Sequence, residues 1–309
     1  MNCYSIGNIN ISTSSHAYVG GVVGYNDRGI IINCYSENIV SATTVNIYSY
    51  SASAGGLIGY NRGTVTNCYA IGEVSAAANL SSSSATAGGL IGNHSEGLVN
   101  SCYADSEVVV TTAASSYASA GGLIGAITTG TTIDCYAIGD VTATATGSSS
   151  VVRAGGLVGY NGYGVITSCY AIGDATAISN KDYANVYSGG LVGYNNSSGS
   201  ITNCFAMGNL NATAPSTFSG GLVGFNNGPI TNSYRFEGQV FYRNINSIIY
   251  TTPTNTEGNV TSNESLHSEN FLIFIIGFGK YISIEDLNTN PSNVWVFIDG
   301  QYPKLYWQS

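Results

Sequence analysis

The residues of this chain that could do chemistry recur at a fixed interval. Cysteines stand at positions 3, 34, 68, 102, 135, 169 and 204, each followed by an aromatic residue: Tyr4, Tyr35, Tyr69, Tyr103, Tyr136, Tyr170 and Phe205. In four consecutive copies an acid follows five residues after the cysteine, as Glu73, Glu107, Asp140 and Asp174. Carboxylates stacked at one interval could hold Ca²⁺, which accepts flexible oxygen ligands. The plainer reading is that they splay into water, because like charges set opposite each other in a sheet are unfavourable. Tyr69, Tyr103, Tyr136 and Tyr170 form a candidate aromatic stripe. It could contact a sugar ring or another protein, or simply stack on itself.

The remaining reactive side chains point away from catalysis. Metal sites normally need clustered cysteine pairs, and none occurs. Disulfides need closer Cβ atoms than neighbouring coils allow, so the cysteines read as small buried hydrophobes. Ser233 takes the place of cysteine in a last copy, which fits a packing role. Arg28 and Arg62 share one turn position beside Asp27 and make the best polar pairing in the chain. His16, His94 and His267 lie in unrelated contexts, and His94 replaces a turn asparagine. A nucleophile elbow, a zinc-binding histidine pair and a phosphate loop are all missing. The chain therefore reads as a non-enzyme, with no cofactor unless Ca²⁺ occupies the acid ladder.

The elements that must position these residues follow from a second repeat. The phrase Gly-Gly-[Leu/Val]-[Ile/Val]-Gly begins at Gly20, Gly55, Gly88, Gly121, Gly155, Gly189 and Gly220. Its steps of 31 to 35 residues match the cysteine steps. One unit reads as three strands: Ala54 to Tyr60, a turn at Asn61–Gly63, Thr64 to Ala70, a break at Gly72, and a third strand from Glu73. Val, Ile, Thr and Tyr fill the strands while Gly and Asn mark the turns. A unit this small cannot bury its own apolar residues, but stacked copies can. The pattern predicts an all-β parallel β-solenoid of about seven coils, roughly 35 Å long at the strand spacing. Adjacent Cys and Tyr must point to opposite faces. Cys and the following Ala are placed inside and Tyr outside, although Ile71, Ile138 and Ile172 share the tyrosine parity. Two asparagine ladders, Asn26, Asn61, Asn161, Asn195, Asn226 and Asn33, Asn67, Asn203, Asn232, read as turn chemistry.

Residues 1–237 are assigned to the solenoid, and its first residues match the middle of a repeat, as in a chain cut from something longer. Residues 238–309 lack the period and read as a C-terminal capping segment packed on the solenoid end, where strand edges need covering. The net charge is −9 with 8 Lys+Arg, so no basic stripe invites nucleic acid. Met1 leads into Asn2-Cys3-Tyr4 without a leader pattern. The longest apolar run, Phe271 to Phe278, is too short to insert in a membrane, so the chain reads as soluble.

With Gly155-Gly-Leu-Val-Gly-Tyr-Asn161, Gly164-Val-Ile-Thr-Ser-Cys-Tyr-Ala-Ile-Gly173 and their copies, the sequence resembles the GLUG-motif repeat family over residues 2–236. Members occur in bacterial and archaeal surface proteins and adhesins, and beside catalytic domains in some large secreted proteases. The resemblance implies a β-solenoid in an extracellular or cell-surface protein. It further implies a non-catalytic rod offering a multivalent contact surface to a host or neighbouring-cell protein or glycan, within a larger polypeptide. The alternative is a solenoid carbohydrate-binding or polysaccharide-degrading module. The family supplies no catalytic residues.

Overall fold

The structure, a computed structural model, describes residues 2–45, 50–79, 83–113, 116–262, 265, 295–296 and 301–305. It is an all-β parallel solenoid in which one repeat makes one coil with four faces. In one coil these are Ser51–Gly55, Ile58–Asn61, Thr64–Thr66 and Tyr69–Ala78. Equivalent strands of successive coils pair in parallel and in register. The first three faces are thus 7-stranded sheets, and the fourth belongs to a 14-stranded sheet.

The three predicted strands become four because two of them are bent. The Gly-Gly-Leu corner turns the first. A Cβ on Gly56 would collide with the Gly89 carbonyl oxygen of the next coil and lie 2.7 Å from the Ala70 Cβ across the coil. Only glycine lets the corner sink that far. The residue before each cysteine turns the second, with left-handed φ values of 53° at Asn33, 51° at Asn67, 52° at Asp134 and 55° at Asn203. Asn and Asp tolerate that region better than most side chains do. Gly72 does not break its coil as expected: with φ 131° it stays within the strand Tyr69–Ala78. The break appears only from Tyr136–Ala137 and Val141–Ala145 onward.

The sunken corner divides the interior into two lobes. One holds Leu57, Ile58, Val65, Cys68 and their copies. The other is filled mostly by smaller side chains, Ala52, Ala54, Val74, Ala76 and their copies. Cys and the following Ala are inside, with Cys68, Ala70, Cys102 and Ala104 fully buried. Like residues lie over like residues, which is how solenoids make one continuous core from small units.

Beyond the last Gly-Gly phrase, Phe241–Ile245 pairs in register with Leu210–Thr213, and Ile248–Tyr250 returns antiparallel to it. The Thr254 and Asn255 amides donate to the Ser219 carbonyl, laying this stretch on the final coil. Residues 295–296 and 301–305 take a different place. Trp295–Val296 and Lys304–Leu305 pair antiparallel, and Trp295, Tyr302 and Leu305 pack on Tyr136, Tyr170 and Phe205 along the side of the rod. The run Phe271 to Phe278, and His267, lie outside the described residues. No helix among the described residues is long and apolar enough to cross a membrane.

Candidate functional site

The tyrosine stripe exists as a ladder. Tyr4, Tyr35, Tyr69, Tyr103, Tyr136, Tyr170 and Phe205 stack with ring centroids 4.8–5.2 Å apart. Its rungs differ in exposure: Tyr69 and Tyr103 are half-buried. Tyr136 and Tyr170 are only 3% and 2% exposed, because the chain's own Trp295 and Leu305 cover them. The cover is specific. Trp295 Nε1 donates to Asp134 Oδ1 at 3.1 Å, and the Tyr170 hydroxyl donates to the Pro303 carbonyl at 2.7 Å. Burial pushes the Asp134 carboxyl up to about 7, with Cys169 adding to the rise and the Trp295 indole opposing it.

The four acids of the ladder differ in their surroundings. Glu73 and Glu107 are register partners, but both are exposed. Asp140 and Asp174 are committed elsewhere: Asp140 Oδ1 accepts from the Asp174 amide at 2.9 Å, and Asp174 Oδ1 from the Asn209 amide at 2.7 Å. Asn209 repeats the bond to the Val240 amide. These are the coils whose fourth-face strand is interrupted, and the side chain serves the amide that the ladder leaves there. Among the described residues no group of three or more His, Cys, Asp or Glu could hold a metal ion.

The cysteine ladder is structural. None of the seven cysteines is in a disulfide, and only Cys3 is exposed. Cys68 Sγ donates to the Thr66 carbonyl at 3.1 Å and accepts from the Cys34 amide at 3.4 Å. Ser233 makes the same pair of bonds, to Thr231 and from Cys204, which explains why serine can stand there. Burial holds the Cys135 and Cys204 thiols well above the usual thiol range.

The turn asparagines form a second internal ladder. Asn26 Nδ2 donates to Asn61 Oδ1 at 2.7 Å, Asn161 to Asn195 at 2.8 Å and Asn195 to Asn226 at 2.7 Å. His94 occupies a rung 3.0 Å from Asn61 Nδ2, and Ile127 interrupts the next. Burial lowers the His94 pKa to about 4. Outside this ladder, Arg62 bridges Asp27 at 3.1 Å and Glu96 at 2.9 Å, and Arg28 also reaches Glu96. Sequence reasoning found Arg28, Arg62 and Asp27 but missed Glu96, which sits one coil further on.

The larger omission is the outer corner between the first and second faces, the outside of the Gly-Gly bend. Tyr18 packs on Tyr25 and Tyr60, whose rings stack at 5.1 Å. Further along, Tyr187, Tyr194, Phe218 and Phe225 form a second cluster. Between them the Arg153 guanidinium lies over Tyr160 at 4.4 Å, Tyr117 at 5.0 Å and Tyr194 at 5.4 Å. Burial lowers its pKa while the surrounding tyrosines oppose that. A signal was present in the sequence: Tyr18, Arg153, Tyr187 and Phe218 all stand two residues before a Gly-Gly pair. The corner offers ring faces, hydroxyls and a cation, groups that can contact an amphipathic ligand.

Comparison with known proteins agrees with this architecture. The family model for the GLUG motif matches residues 15–41, 50–75 and 150–176. No curated protein matches the chain at a meaningful level. A crystal structure at 1.30 Å from Bacteroides ovatus, of a protein provisionally named an immunoglobulin A1 protease, has a TM-score of 0.58 at 21% identity over 90% of this chain and 76% of that one. A second, named IgA1 protease, has a TM-score of 0.49 at 15% identity and covers 82% of this chain, which spans 19% of that protein. The first likeness is one of fold. Three coils of this β-solenoid thus match the GLUG motif directly, and the others carry the same phrases in register.

Proposed function

We propose that the chain is the non-catalytic repeat region of a cell-surface or secreted adhesin-like protein, a rigid rod that contacts a host or neighbouring-cell protein or glycan. The observation that carries this reading is the outer corner. Aromatic side chains line it at both ends, and Tyr25 leaves 47% of its surface in water. Exposed rings beside polar groups are the composition of recognition surfaces. Repetition along a rod lets several weak contacts act together through effective concentration. His94 is walled into the turn ladder and His16 accepts from the Ser51 amide, so neither is placed to activate a nucleophile.

Binding of the labelled full chain to intact cells and to immobilised glycoproteins tests the reading. Saturable binding that strengthens steeply when the chain is displayed in several copies is the expected result. Absence of binding to every surface sinks it. The second reading, a polysaccharide-degrading module, is favoured only by Arg28 and Arg62 beside Asp27. Release of unsaturated ends from uronate polymers would support it instead.

A further inference from the structure

We propose that an interruption in the outer aromatic corner is a binding site for a carboxylate-bearing sugar residue. The proposal rests on the reading of the rod as a contact surface and names one ligand class for it. Along the second face the corner column reads Tyr25, Tyr60, Asn93, Ala126, Tyr160, Tyr194, Phe225. Along the first it reads Tyr18, Ser53, Thr86, Ser119, Arg153, Tyr187, Phe218. Two coils therefore carry only small side chains, with Tyr60 before them and Tyr160 and Arg153 after. At ~4.8 Å per coil, the Tyr60 and Tyr160 positions stand about 14 Å apart. Ser119 is 2% and Ala126 7% exposed, as expected for the floor of a recess, while Tyr117 at 52% stands on its rim.

Arg153 supplies the charge preference. It is a largely buried cation, and among the described residues no carboxylate pairs with it. Its one direct hydrogen bond is a long one, from Nη1 to Ser119 Oγ at 3.5 Å, and its Nε has no partner. A buried charge without a counter-ion is unfavourable, and a ligand carboxylate would provide one through charge-assisted hydrogen bonds. Asn93 Oδ1, also buried and without a partner, is an acceptor for a sugar hydroxyl. The tyrosine rings offer faces to the C–H side of a pyranose. The net charge of −9 works against general capture of anions, so a preference for acidic sugars would report a local site.

The test is calorimetric titration of the full chain with matched pairs: a glucuronate-terminated oligosaccharide against its glucose counterpart, and sialyllactose against lactose. At least one acidic member is expected to bind about tenfold more tightly than its neutral partner. Arg153→Met should erase that preference. Tyr117→Ala, on the exposed rim, should weaken binding several-fold with the melting temperature unchanged. Equal affinity within both pairs, no binding of either acidic sugar, or a folded Arg153→Met that keeps the preference would overturn the site. Cell binding without acidic-sugar binding removes this proposal alone. Loss of all binding removes the contact reading as well.

Discussion

Gly56 meets the opposite wall of its own coil at Ala70, where a Cβ on the glycine would lie 2.7 Å from the alanine Cβ. The same approach recurs at Gly89 and Ala104, Gly122 and Ala137, Gly156 and Ala171, and Gly190 and Ala206, at 2.8–3.0 Å. This contact explains why Ala follows Cys-Tyr in most coils and why the interior has two lobes. It also shapes the outside: a wall that sinks inward leaves a re-entrant corner, and the aromatic residues and Arg153 line that corner. Core packing and the candidate contact surface thus follow from one pair of small residues per coil.

Gly122→Ala is accordingly predicted to lower stability by about 3 kcal/mol, the range for forcing extra volume into a packed core. The new methyl would meet the Gly156 carbonyl as well as Ala137. Adding Ala137→Gly relieves only the second clash, so rescue should be partial. Denaturant unfolding followed by circular dichroism measures both, and a fully stable single variant would show that the waist can open.

The thiols should divide sharply. Cys3 is exposed and the other six cysteines are buried with their Sγ atoms facing the core. In the native chain an aromatic disulfide reagent should titrate one thiol at once and the remaining six only with unfolding, since thiolate access controls the reaction. Cys169→Ser should fold, because Ser233 already performs the same hydrogen bonding in the last coil. Fast reaction of several native thiols would contradict the ladder.

Much of this was legible because the repeat acts twice, once in sequence and once in space. Cys68, Tyr69 and Ala70 share one period, and strand alternation sets Cys68 and Tyr69 on opposite faces, while the burial of Cys68 and Ala70 decides which face is inward. What could not be read were contacts between residues that no period links. Trp295 covers Tyr136 and Tyr170 from a segment without repeats. Arg153 stands where other coils carry Ser119 or Tyr187, so its cage is visible only once the corner folds inward. The hydrogen bonds of the acids were hidden for a similar reason: their spacing is regular, but Asp140 and Asp174 answer a break in the strand that a linear pattern does not reveal.

His94 predicts acid sensitivity. Its folded pKa lies at about 4, below the ordinary value of 6.5, because burial disfavours the imidazolium. Stability from the neutral ring is therefore complete above pH 6.5 and is lost as the pH falls through about 4. The full swing is about 3 kcal/mol. His94→Asn, which restores the turn residue of neighbouring coils, should flatten the decline in melting temperature between pH 6.5 and 4. An equally steep decline in the variant would assign it to other groups.

Asp134 predicts the opposite slope for the C-terminal cover. Its folded pKa is raised to about 7 by burial beneath Trp295. A carboxyl whose pKa rises on folding favours the docked state while protonated, and that contribution is lost as the pH climbs from its ordinary 3.8 through about 7. The Trp295 indole opposes the trend, since its hydrogen bond favours the carboxylate, but burial outweighs it. Trp307→Phe leaves Trp295 as the single tryptophan, so its fluorescence reports the cover directly. Emission should shift to the red, and quenching by iodide should rise, as the pH passes from 5 to 8.5, a range of about 1.5 to 2 units on either side of the raised value. Asp134→Asn should remove the transition, because a neutral amide still accepts from the indole at every pH. A tryptophan that stays blue and unquenched throughout in the parent protein would mean that the apolar contacts of Trp295 with Tyr136 and Tyr170 hold the cover in place without help from the carboxyl.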